Sequence, residues 1–215
     1  MKAIDPLSIA LLLALISLVP LLLVVTTSFL KIATVLMLVR NALAVPQVPP
    51  NIALYALALV LSLYVMAPVL DQAGTALRED PQALASVESL GKALGKGTEP
   101  LRAFLLKHTK PEQRAFFTDS ARRMWPPERV VQMQDSDFLI LMPAFVVSEL
   151  SSAFQIGFLL YLPFVVIDLI VSNILLALGM MMVSPSTISL PIKLFLFVMV
   201  EGWTRLLQGL VLSYA

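Results

Sequence analysis

The stretch PAFVVSELSSAFQIGFLLYLPFVVIDLIVSNILLALGMMMVSP, residues 143–185, decides how the rest of the chain is read. It is apolar for long enough to cross a bilayer, since about 20 apolar residues span the hydrocarbon core. Yet it carries two carboxylates, Glu149 and Asp168, and closes on Met180, Met181 and Met182 before Pro185. A charge at membrane depth costs about 2.5–3.5 kcal/mol on insertion scales, so such residues face protein or a water-filled path. A plain lipid anchor has no use for these features. The stretch therefore reads as working surface inside an assembly.

The whole chain agrees with that reading. Of its 215 residues 59% are hydrophobic and 13% charged, and its mean hydropathy of +0.89 lies outside the globular range. The net charge is +1, with no basic stripe to neutralise phosphates, so no nucleic-acid partner is expected. Cysteine is absent, which removes disulfides, thiolate nucleophiles and thiolate metal sites together. His108 is the single histidine, so a multi-histidine metal site within one chain is excluded, and a solvated surface role is expected for it. Nothing resembles a nucleophile with its base, a P-loop or a phosphate-cradling glycine motif, so neither an enzyme nor a cofactor is expected.

Outward from the central stretch, the fold is expected to be all-α, in three parts. Residues 1–70 form a hydrophobic helical hairpin. Its first helix, between Asp5 and Lys31, is a retained span rather than a cleaved leader, kinked at Pro20. The helical pattern continues through Arg40 to a rigid connector with prolines at 46, 49 and 50, and a second span runs over 51–70 with Asn51 as N-cap and Pro68 ending or bending it.

Residues 71–137 are polar, with ten basic and ten acidic side chains, and are expected to form a small extramembrane helical region. One short helix starts at Asp80-Pro81, a second at Thr98, and a third at Thr109, whose spacing to Glu112 is that of a capping box; Trp125-Pro126-Pro127 ends the region. In residues 138–215, Asp135 to Asp137 cap the next helix, Pro163 divides it into 138–162 and 164–178, and Gly179 ends the second piece. A connector then leads to a last helix over 192–212. Lys31 and Arg40 favour a cytoplasmic first connector, which places 71–137 and both termini outside.

Five charges stand in the hydrophobic C-terminal part: Glu149, Asp168, Lys193, Glu201 and Arg205. They form either a proton or ion relay, as in a small secondary transporter or channel, or pairs that remove one another's burial cost. Glu149 with Lys193 is the expected pair. The three methionines are either a core turn or, in a ring of subunits, a flexible apolar surface that gates a pore by excluding water.

The motif PAFVVSELSSAFQIGF at 143–158 closely resembles the signature of the SctR/FliP family, the export-apparatus subunits of type III secretion systems in injectisomes and flagella. The similarity extends to TSFLKIATVLMLVRNAL at 27–43, the connector from Gln47 to Asn51, LPFVVIDLIVSNILLALGMMMVSP at 162–185, and LPIKL at 190–194. The short chain and the lack of a cleavable leader resemble the injectisome branch.

The resemblance implies a non-enzymatic, all-helical subunit of the bacterial inner membrane that forms a ring of about five copies with the S and T subunits. The ring would project to the periplasmic side at the base of the needle or inner rod, near the export switch subunit, and pass unfolded secreted proteins. By the same resemblance Met180, Met181 and Met182 match a methionine gasket that closes the channel. Glu149, Asp168 and Lys193 match polar positions associated with subunit packing, with Lys31, Glu201 and Arg205 as further candidates.

Overall fold

A computed structural model of the chain describes residues 6–45, 48–78, 87–131 and 133–215. Among them there is no strand, and nine helices follow one another: α1 (Pro6–Thr26), α2 (Phe29–Ala42), α3 (Asn51–Arg78), α4 (Val87–His108), α5 (Pro111–Met124), α6 (Pro127–Val131), α7 (Phe138–Ala177), α8 (Pro185–Met199) and α9 (Gly202–Leu212). The fold is all-α, as the composition requires. The expected helix start at Asp80-Pro81, the Asp5 end of the first span, and Pro46 and Gln47 of the connector lie outside the described residues.

Prolines interrupt far less than expected. Pro20 lies inside α1, Pro68 inside α3, Pro100 inside α4, Pro191 inside α8, and α7 passes through Pro163 without a break. An interior proline costs about 3 kcal/mol. Ending a helix in an apolar setting leaves up to four carbonyls unsatisfied, each costing several kcal/mol, so continuing is the smaller loss. The expected division of the third part at Pro163 therefore gives way to one helix of 40 residues, about 60 Å at 1.5 Å per residue. Two helices, Asn51–Ala76 and Phe138–Ala177, are long and apolar enough to cross a membrane.

Hydroxyls mark the end of the first apolar run. Thr26 and Thr27 donate back to the Leu22 and Leu23 carbonyls at 2.7 and 2.5 Å, which competes with the helical ladder. Ser62 of α3 donates to Thr27 at 3.0 Å and accepts from Ser28 at 3.1 Å, so the break between α1 and α2 is filled by a buried chain of hydroxyl bonds. The Asn51 side chain, expected to cap α3, instead accepts from Arg40 at 2.5 Å, while the Arg40 guanidinium also reaches the Pro49 carbonyl at 3.2 Å and closes the proline turn. The first backbone bonds of α3 go to Pro50.

In the polar region, the helix expected to begin at Thr98 is the second half of α4. Thr98 donates to the Gly95 carbonyl at 3.1 Å rather than capping anything. The capping box at Thr109 does not form either, because Thr109 donates to Leu105 at 2.6 Å and Lys110 occupies the N-cap of α5, with Pro111 next. Trp125 caps the end of α5, but Trp125-Pro126-Pro127 does not end the region as expected, because α6 starts at Pro127, where the missing N–H costs nothing. Asp137 opens α7 through its carbonyl, which accepts from Ile140 and Leu141, and its side chain accepts from the Gln134 amide at 3.0 Å.

The described residues group into two compact units: Met1–Leu30 with Ser62–Glu149, and Lys31–Leu61 with Leu150–Ala215. In the first, Phe104 of α4 packs on Phe145 of α7 with centroids 5.9 Å apart, Arg102 lies over the Phe138 ring, and Ser148 accepts from the Lys110 amide at 3.0 Å. Thus the polar α4–α5 segment has its own apolar floor. The second unit holds the methionines and most of the charges singled out above.

Candidate functional site

The methionines stand at the tip of a hairpin made by the C-terminal part of α7 and by α8. Gly179, at φ +70°, supplies the left-handed residue that ends α7. The Met180 amide reaches back to the Leu175 carbonyl at 2.9 Å and the Gly179 amide to Leu176 at 3.0 Å, the paired bonds of a Schellman cap. A second turn follows at once, closed by the Val183 amide on the Met180 carbonyl at 3.3 Å, with Met181 and Met182 at its corners. Ser184 then caps α8 without a side-chain bond, and Pro185 takes the first turn, where its missing N–H costs nothing.

Two tight turns back to back push the corner side chains away from their own chain. Met180 is 43% exposed, Met181 81% and Met182 101%. The alternative of a Met-rich core turn does not hold within this chain. Three thioethers sit together on an outward tip.

The foot of the hairpin is fixed by charge and by rings. The Lys193 ammonium on α8 pairs with Asp168 on α7 at 2.5 Å and also reaches the Ala42 carbonyl, in the last turn of α2, at 3.4 Å. A cation at a helix C-terminus is favoured by the macrodipole, so Lys193 ties three helices. Buried Ser189 lies one turn nearer the tip on the same face of α8. One turn further from the tip, Phe164 faces Phe197 with centroids 6.3 Å apart.

The expected pairing of Lys193 with Glu149 is thereby corrected. Asp168 and Lys193 stand equally far from the hairpin tip, whereas Glu149 lies more than five turns further down α7. Glu149 is buried at the end of the first unit, beside buried Ser148.

Lys31 does not stand out in the first connector as its use for the topology supposes. It is buried, with its ammonium 3.7 Å from the centroid of the Tyr214 ring, a cation–π contact that partly compensates its desolvation. A buried lysine is a poor topology marker, so the placement of the first connector loses one of its two supports. Glu201 and Arg205 lie at the elbow between α8 and α9, which are bent by 59°. Glu201 adopts φ 53° there, its carbonyl receives the Arg205 amide at 3.1 Å, and both side chains are exposed. Gly202 follows because a Cβ at that position would run into the Phe197 ring, itself edge-on to Trp203 at 5.4 Å.

The structure thus joins the three methionines, and Asp168 with Lys193. Sequence reasoning missed Ser189, the Phe164–Phe197 contact and Gly202. Equal spacing from the tip was the signal for the Phe164–Phe197 contact. Among the described residues no group of three or more histidine, aspartate or glutamate side chains is arranged to hold a metal.

A profile of the FliP family matches residues 12–210. The Yop proteins translocation protein R of Yersinia pestis is 52% identical over 98% of this chain and 97% of its own length. The harpin secretion protein HrcR of Erwinia amylovora is 50% identical with the same coverage, and the virulence protein YscR of Salmonella typhimurium is 47% identical over 98% of both chains.

Proposed function

The chain belongs to the FliP family, and from that premise we propose that it is a core, non-catalytic subunit of a type III secretion export gate. About five copies, joined by the S and T subunits, form a channel for unfolded secreted proteins. The inner-rod or needle base and the export switch subunit are its further neighbours. The relatives named for Yop translocation, harpin secretion and virulence support the injectisome branch. The assembly sits in the bacterial inner membrane with its core toward the periplasm, and residues 71–137 lie on that side.

The observation that carries the reading is the methionine tip. Met181 and Met182 have almost no neighbours in their own chain, and such a surface gains its packing from other chains. Repeated around a ring, flexible thioethers can close on one another against water and ions, yet give way to a passing polypeptide of any shape. The Lys193–Asp168 pair favours a structural role for these charges over a proton relay, because each already holds its counter-ion.

The test is a ring carrying Met180→Ala, Met181→Ala and Met182→Ala together. The expected result is a complex of wild-type mass by native mass spectrometry that leaks ions in a conductance or growth assay. A ring that assembles and stays ion-tight overturns the gasket. Solute transport by this chain alone, with pH dependence altered by Glu149→Gln or Asp168→Asn, would favour a transporter instead.

A further inference from the structure

The elbow between α8 and α9 closes a groove that the channel reading leaves without a role. It measures about 580 Å³ and lies against α2 and α7, with Leu160, Pro163, Phe164, Leu206 and Gly209 in its wall. Of all its lining residues Arg205 alone is charged. None of the ion pairs among the described residues uses the Arg205 guanidinium, and Glu201, one turn earlier, does not line the groove.

We propose that this groove binds a phospholipid with an anionic headgroup, its acyl chain along the apolar wall and its phosphate on Arg205. The two halves of the site ask for one amphipathic molecule. The wall offers water almost nothing to bond to, and its volume falls in the range of pockets that bury most of a small ligand, about 300–1,000 Å³. The guanidinium presents parallel N–H donors that match two phosphate oxygens. Basic pockets between membrane helices select anionic headgroups on these grounds. A neighbouring protein helix would fill the apolar wall equally well, but it would have to bring a carboxylate to the same rim.

The test titrates the detergent-solubilised full-length protein with phosphatidylglycerol or phosphatidylcholine and reads bound lipid by native mass spectrometry. Phosphatidylglycerol is expected to be retained about five-fold better, the preference one basic side chain confers near an anionic headgroup. Arg205→Gln should abolish that preference and Arg205→Lys should keep most of it. Gly209→Leu should reduce retention of both lipids, because a side chain at this wall position meets no atom of the chain within 4 Å at its Cβ and so enters the groove. Equal retention of the two lipids by the wild type, an unchanged preference in Arg205→Gln, or a groove cross-linked to a second copy and free of lipid would each overturn the proposal. The measurement requires no secretion, so its failure leaves the export-gate reading standing.

Discussion

Asp168→Asn should harm the protein more than Lys193→Met, although both destroy the same ion pair. The asymmetry comes from burial: the Lys193 side chain is 3% exposed and that of Asp168 45%. Asparagine leaves the ammonium enclosed with a neutral amide and the distant Ala42 carbonyl, and stripping one partner from a buried pair costs about 3–5 kcal/mol. The retained amide oxygen still accepts a bond, which argues for the lower end, about 3 kcal/mol.

Methionine at position 193 instead leaves Asp168 at the edge of a pocket of about 330 Å³ that Ser172 and Ser186 also line. That site is polar and roomy enough for water. Methionine fills the volume of the lysine stem, so the loss should be about 1 kcal/mol. For a chain of this size each kcal/mol moves the melting temperature by about 2–4 °C. Thermal unfolding of the detergent-solubilised protein should therefore separate the two variants by several degrees, and the double variant should return to within about 1 kcal/mol of wild type. Equal losses in the two single variants, or a double variant no better than Asp168→Asn, would refute the reasoning.

Two glycines give sharper tests of the backbone. Gly202→Ala should destabilise by about 1–3 kcal/mol, since its Cβ meets the Phe197 ring, and the same melting assay reads it against Gly209→Ala, which meets nothing and should be neutral or slightly stabilising. Gly179→Ala should cost about 1–2 kcal/mol for its left-handed backbone, with Gly179→Asn melting in between because asparagine tolerates that conformation. A wild-type melting temperature in Gly179→Ala would mean that the cap is not set by this residue. The triple methionine variant, by contrast, should melt like the wild type, because its side chains lie outside the fold of their own chain.

The end of α7 at Gly179 was legible from residues alone, because only the need for a left-handed residue had to be recognised. The number of helices was not. Pro68 and Pro163 are weighed in the sequence by their cost in isolation, while the outcome depends on what the broken ends would lose in apolar surroundings. Thr109 and Asn51 failed as caps for another reason, since each hydroxyl or amide had a competing partner, Leu105 or Arg40, that local spacing does not reveal. The Lys193 partner was in principle legible. Once the Met180–Met181 junction is taken as a reversal, Asp168 lies twelve residues before Met180 and Lys193 twelve after Met181.

The Schellman cap and the turn that follows it also set a clock. Only seven residues separate Ala177 from Pro185, and four of their amides are bonded within the hairpin, so the tip has little slack with which to swing. Two motions remain to it. Exposed methionine side chains change rotamer in picoseconds to nanoseconds, whereas tilting two helices tied by Lys193 belongs to the microsecond-to-millisecond range of collective motion. In the channel we propose, a polypeptide threading past such tips would be met first by rearranging thioethers, thousands of times faster than the hairpins could part. Between residues of the passing chain, the tips of such a channel would re-close without the helices having moved at all.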